Sequence, residues 1–169
     1  NPDALGYDID QSIDASEVII QSLRNTAIIN LIEQLPILPP VTENHRISSR
    51  YGMRKDPITG EKAWHDGVDY AGPLGTPIRA TASGRVTFAG RRGGYGNLVE
   101  IEHAAGMKTR YAHLQNYLVA EGDYVERGEK IGAMGSTGRS TGSHLHYEIQ
   151  HLDRKINPYK ISRLKRHVE

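Results

Sequence analysis

Of the chain's 18 glycines, 17 lie between Gly52 and Gly142, and the other is Gly6. Glycine weakens helices and supplies the positive-φ positions of tight turns. The middle of the chain is therefore predicted to be short elements joined by turns, while the glycine-poor start is free to be helical. Within the glycine-rich body, Arg85–Ala89 and Leu98–Glu102 alternate in polarity. Met107–His113 reads as a returning strand after a loop holding Gly106, with Thr109, Tyr111 and His113 on one face. Lys130–Met134 and His144–Gln150 are the other clear strands. Strands this short and close predict a mainly β fold, an antiparallel β-sandwich or barrel-like domain.

The start of the chain reads differently. Ile13, Ile20, Leu23, Ala27, Leu31 and Leu35 recur at helical spacing, and Asp14 with Glu17 has the form of a capping box. Pro36 and Pro39-Pro40 end the helix. Ile19, Ile28, Ile29 and Ile32 widen its apolar face, so the arm is expected to pack on the β domain, on a second copy or on upstream sequence. The predicted organisation is an N-terminal helical arm with a Pro-rich linker over 1–40, one domain over 41–159, and a basic, solvated tail over 160–169.

Composition narrows the function. The 169 residues carry a net charge of +1, which gives no long-range field and argues against a generic nucleic-acid binder. No apolar run approaches the roughly 20 residues of a membrane span. The chain has no cysteine, which removes disulfides, thiolate zinc sites and cysteine nucleophiles. It starts at Asn1, and a signal or anchor upstream is expected, removed by processing or truncation.

Four of the eight histidines fall into patterns that chemistry would use. In His65-Asp-Gly-Val-Asp69, an extended segment would put His65 and Asp69 on one side. In Ser143-His-Leu-His-Tyr-Glu-Ile149, a strand would put His144 and His146 on one face and Leu145, Tyr147 and Ile149 in the core. His113 sits in Tyr111-Ala-His-Leu114. Alone, His-Leu-His fits structural histidines equally well, and the His65–Asp69 pattern and His113 fit a structural role better. In combination, two imidazoles and a carboxylate are the protein ligands of a catalytic zinc site with one open position, and the remaining histidines can act beside it. The loop Gly135-Ser-Thr-Gly138-Arg-Ser-Thr-Gly142 runs into the His-Leu-His strand and is expected to admit a substrate backbone.

Taken together, these segments resemble the LytM/lysostaphin-type zinc metallopeptidases, which cut peptides in bacterial cell walls. The resemblance runs from about Arg46 to Pro158. It includes Ser49-Arg-Tyr-Gly-Met-Arg54, Asp56-Pro57-Ile-Thr-Gly60, His65-Asp-Gly-Val-Asp69, Gly94-Tyr-Gly-Asn97, Tyr111-Ala-His-Leu114, Gly122-Asp-Tyr-Val125 and His144-Leu-His-Tyr-Glu148. It implies an antiparallel β fold with an open groove and one Zn2+ per chain, held by His65, Asp69 and His146. It further implies His144 as general base and His113 as the group that stabilises the oxyanion or orients water, with the two roles exchangeable. The substrate implied is the stem peptides and cross-links of peptidoglycan. An exported protein of the periplasm or cell envelope is implied, with the arm as contact for a regulatory or membrane-anchored partner. Asp-Pro-Ile-Thr-Gly resembles the Gram-negative cross-link endopeptidases. One departure is visible: where some relatives carry a tyrosine before the first zinc histidine, this chain has Pro57–Trp64. The competing reading is a non-catalytic regulator of other wall hydrolases. A carrier-domain hairpin at Gly122–Ile131 is a remote alternative, because the pair Met107-Lys108 lies outside it.

Overall fold

The structure, a computed structural model, describes residues 15–162. Two compact units are present, residues 1–32 and 33–169. A single helix, α1 (Ala15–Glu33), makes up the described part of the first. At 3.6 residues per turn, Val18 and Ile29 point one way and Leu23, Ala27 and Leu31 the other, with Ile19, Ile28 and Ile32 between. Apolar side chains thus ring the helix, beyond the widened single face predicted for it. Leu35 lies past the helix end, because Pro36 disfavours helix in the residues before it. Ile13 and the capping residue Asp14 lie outside the described residues, as does the tail from 163 onward.

The second unit begins inside the stretch predicted as a linker. Pro36, Ile37, Pro40 and Val41 are buried there, and the Pro40 carbonyl accepts a hydrogen bond from the Arg79 N–H at 3.0 Å. Ile37 and Val41 are apolar anchors that a free linker would leave in water.

Among the described residues the strands are β1 (Arg46–Ser49), β2 (Gly52–Lys55), β3 (Lys62–His65), β4 (Val68–Ala71), β5 (Pro77–Arg79), β6 (Gly84–Arg92) and β7 (Gly96–Glu102), then β8 (Met107–Tyr117), β9 (Tyr124–Val125), β10 (Lys130–Met134), β11 (His144–His151) and β12 (Arg154–Ile156). A short helix, α2 (Pro158–Ser162), ends the described chain and spans the start of the predicted tail. All strand pairings are antiparallel. The main path is β1-β4-β11-β8-β7-β6-β9, and β2 with β3 forms a separate hairpin. Leu145, Tyr147 and Ile149 of β11 meet Tyr111 and Leu114 of β8 and Val99 and Ile101 of β7 in one core. No helix among the described residues is long and apolar enough to cross a membrane.

The site is positioned by β8. This strand pairs with β11 as far as Ala112 and with β10 from Leu114 onward, so it changes partner at His113. Opposite β7 the register jumps: Asn97 faces Leu114 but Val99 faces Tyr111. His113 has φ +62°, a left-handed conformation uncommon for a residue with a Cβ. Such a bulge re-aims a side chain. The predicted alignment of His113 with Thr109 and Tyr111 fails for this reason. Tyr111 and Leu114 both enter the core, and His113 turns into the groove.

Candidate metal centre and groove

His65 ends β3, Asp69 lies in β4 and His146 lies in β11. The first two converge through the turn at Asp66-Gly67, not along one extended segment as predicted. Gly67 is required at that turn: a Cβ there would lie 2.4 Å from the Tyr147 carbonyl and 2.9 Å from the His146 ring. His146 pairs across the sheet with Asp69 in register.

Three atoms able to ligate a metal come together. His65 Nε2 lies 3.1 Å from Asp69 Oδ1 and 3.0 Å from His146 Nδ1, and His146 Nδ1 lies 2.9 Å from Asp69 Oδ1. All three residues are buried. The outward atoms are already committed. His65 Nδ1 donates to the Arg50 carbonyl at 2.8 Å, and His146 Nε2 donates to Glu148 Oε1 at 3.0 Å. Carbonyl and carboxylate oxygens only accept, so these contacts fix both tautomers. Two nitrogen lone pairs and a carboxylate oxygen then face one another, an arrangement that needs a cation between them. Tetrahedral zinc with bonds of roughly 2.0–2.2 Å would separate its ligands by about 3.4 Å, a slight opening of this triangle.

Without metal a proton fills that need. Burial pushes the pKa of His146 down, but its hydrogen bonds to Asp69 and Glu148 outweigh this and raise it to about 9. Burial likewise opposes the charge on Asp69, yet the protonated His146 that donates to it, with the His65 ring beside it, holds its pKa well below the ordinary value. Glu148 is held at about 2 against its own burial by His146 and Lys155. Tyr95 donates its hydroxyl to Glu148 Oε1 at 2.9 Å, and Lys155 pairs with Oε2.

The two other predicted histidines flank this triad. His144 Nε2 is 4.0 Å from Asp69 Oδ1, while its Nδ1 donates to the Gly142 carbonyl at 2.8 Å. The His113 ring lies 4.7 Å from that of His144 and 5.9 Å from that of His146. His113 Nδ1 donates to the Thr137 carbonyl at 2.8 Å. Burial, the largest influence, lowers the His113 pKa to about 4, so its ring is neutral at physiological pH. With Nδ1 donating, the neutral form of each ring keeps Nε2 free as an acceptor.

All five predicted residues line one open groove of about 930 Å³. One wall is the β2–β3 hairpin and another is the loop after β10. Arg139 joins them through Asp56, at 2.9 and 3.0 Å to the two carboxylate oxygens. Gly142 of that loop lines the groove with open space around it, while Gly135 and Gly138 pack against backbone. A Cβ on Gly138 would lie 2.3 Å from the Gly96 nitrogen, so two backbones touch there.

Sequence reasoning missed Glu148, Arg54 and Tyr95. Glu148 was findable, because it continues the even spacing of His144 and His146 on β11. Arg54 and Tyr95 reach the groove through tertiary packing, which no local pattern marks. His103 lies outside the groove, and His167 is outside the described residues.

Residues 63–158 match the family described as Peptidase family M23. Over 117 residues the chain is 54% identical to the DD-carboxypeptidase/endopeptidase Mpg of Neisseria meningitidis serogroup B, covering 69% of this chain and 27% of that protein. Over 123 residues it is 42% identical to the peptidoglycan DD-endopeptidase ShyB of Vibrio cholerae, covering 72% and 29%. The chain thus spans less than a third of these relatives. A zinc-containing peptidase from Vibrio cholerae superposes with a TM-score of 0.66 at 40% identity, over 70% of this chain and 37% of that one. The catalytic domain of lysostaphin from Staphylococcus simulans gives 0.65 at 34% identity, over 71% and 93%.

Proposed function

Because this chain belongs to peptidase family M23, we propose that it is a zinc endopeptidase that hydrolyses the peptide cross-links of bacterial peptidoglycan. The observation that carries the reading is the triangle of His65 Nε2, Asp69 Oδ1 and His146 Nδ1, each edge 2.9–3.1 Å, at the floor of an open groove. Zinc bound by these three atoms would polarise a carbonyl and supply hydroxide from water near neutral pH. His144 is the general base in this reading. Its Nε2 lone pair takes the water proton and later returns it to the leaving amine nitrogen. His113 orients the water through its own Nε2. Its oxyanion role is the weaker alternative, since donation from Nε2 would need a proton that burial opposes. The substrate lies in the cell envelope, and we place the protein there, exported, with α1 as the contact for a regulatory or membrane-anchored partner. Retention of all three ligands and both flanking histidines favours the enzyme over a non-catalytic regulator.

The test is digestion of purified cross-linked peptidoglycan with and without a chelator, followed by mass analysis. Uncrosslinked stem peptides that disappear with chelator are expected. Released disaccharides, or no cleavage by zinc-loaded protein, would overturn the proposal.

A further inference from the structure

Among the described residues, Arg54 in the groove carries a buried guanidinium nitrogen without a hydrogen-bond partner. Arg54 lies on β2 opposite Ala63 of β3, two residues along from the Gly52–His65 pair, so it shares the face of His65. Its side chain is 27% exposed and lines the groove. Its nearest charged neighbour is Asp69 Oδ2 at 3.8 Å, beyond hydrogen-bond range. Its Nε is buried and makes no hydrogen bond to any described residue. The other charges of the groove do not satisfy it: Asp56 is taken by Arg139, Glu148 by His146, Tyr95 and Lys155, and Asp66 forms no ion pair among the described residues. Arg46 and Lys55, which form no ion pair among the described residues, add positive charge to the same groove.

A buried N–H without a partner is costly, and the Nε and Nη2 edge of a guanidinium matches the two oxygens of a carboxylate. Position suggests which carboxylate. Arg54 stands beside Oδ2 of Asp69, and Oδ1 of the same group belongs to the metal triangle. A substrate group one or two bonds beyond the scissile nitrogen would come within its reach. We propose that Arg54 binds a free carboxylate on the carbon that bears the scissile nitrogen. This rests on the peptidoglycan reading above and names its substrate class. A stem peptide ending in D-Ala–D-Ala presents such a carboxylate. So does a cross-link from D-Ala to a diamino acid whose side-chain amine carbon carries a carboxyl. A cross-link to a lysine side chain has only CH2 there and lacks it. One cation would thus serve both carboxypeptidase and endopeptidase cleavage.

The experiment compares three synthetic cross-linked peptides: the free carboxylate, its primary amide, and the lysine analogue. Zinc-loaded wild-type protein is assayed beside Arg54→Lys and Arg54→Gln, with bound zinc and thermal stability measured for each. Wild type is expected to favour the carboxylate by about 10–100-fold in kcat/KM, the range of a hydrogen bond to a charged group. Arg54→Gln should bring that ratio close to one while bound zinc stays at one equivalent, and Arg54→Lys should retain part of it. Equal wild-type rates on all three peptides would overturn the proposal. So would a zinc loss in Arg54→Gln that lowers every rate alike, since Arg54 would then act only on Asp69. If zinc-loaded wild type cleaves none of the three, the activity reading fails separately. Calorimetric titration of the carboxylate and amide peptides into the protein then decides the site: tighter binding of the carboxylate that depends on Arg54 supports it, and equal binding overturns it.

Discussion

Two buried histidines of this protein, His146 and His103, are each hydrogen-bonded through both ring nitrogens, yet they are opposites. His103 Nδ1 meets the Ser83 carbonyl at 2.9 Å, and its Nε2 meets the Thr109 hydroxyl at 2.8 Å. That hydroxyl passes the chain to Tyr111, and Tyr111 and Tyr147 both meet Thr81. Every partner is neutral, and burial lowers the His103 pKa. His146 instead lies between two carboxylates, Asp69 at 2.9 Å and Glu148 at 3.0 Å, which raise its pKa to about 9 despite comparable burial. Burial alone makes a histidine a structural element. Carboxylate on both sides, with a second imidazole facing the same oxygen, makes a place for a cation.

The sharpest way to break this comparison is to remove each ring. His146→Ala leaves His65 and Asp69 as the only two ligands, so bound zinc should be lost and hydrolysis abolished. His103→Ala leaves Thr109 short of a partner and opens a cavity. It should cost about 1–3 kcal/mol of stability and leave zinc content and turnover per folded molecule unchanged. Elemental analysis beside thermal melts checks both. If His103→Ala also loses zinc, the two regions are not independent.

Next in size is the separation of ligand from catalyst within β11. His144→Ala should keep zinc near one equivalent while turnover falls by about 10²–10⁴-fold, the contribution of a general acid–base group. His144→Ala losing its zinc while His146→Ala keeps it would reverse the assignment. A smaller effect is expected from the carboxylate behind the ligand. Glu148→Gln keeps an acceptor for His146 Nε2 but drops the charge, and zinc affinity should weaken by about 10–100-fold, read by competition with a chromophoric chelator. Unchanged affinity would mean that Glu148 serves only as the ion-pair partner of Lys155 and Arg110.

The comparison also explains what the sequence disclosed. His144, Leu145 and His146 could be assigned to opposite faces because a regular strand alternates with period two, and β11 is regular. The convergence of His65 and Asp69 was legible from residue type and spacing, although the turn at Gly67 and not a strand produces it. His113 was misplaced because a bulge adds one residue and inverts the parity. Strands β1 to β5, β9 and β12 were invisible because two to four residues are too few to show alternation. Arg54 and Tyr95 enter the groove from segments distant in sequence, and His103 differs from His146 only in what lies across the fold from it. The glycine count foretold many turns but not their purpose at Gly96 and Gly138, where one backbone packs on another.

The smallest expected effect is the opposite pH response of the two histidines in metal-free protein. The folded pKa of His146, about 9, lies above the unfolded value near 6.5. Its protonation therefore favours the folded state. That contribution is fully present below about pH 6.5 and is lost as pH rises through about 9. The folded pKa of His103 is lowered, so its contribution is present above about pH 6.5 and is lost as pH falls. Melting temperatures of chelator-treated protein should decline on both sides of neutrality. His146→Asn should remove the alkaline decline, and His103→Gln should reduce the acid one. If zinc binds as proposed, it would take the place of the proton between His146, His65 and Asp69, so loaded protein should show no alkaline decline, and zinc binding near pH 8 should release about one proton. Calorimetry in buffers of different ionisation enthalpy counts that proton. A metal-free protein whose melting temperature stays level from pH 6.5 to 9.5, with no proton released on loading, would mean that His146 holds no exchangeable proton and that the contrast with His103 is one of position alone.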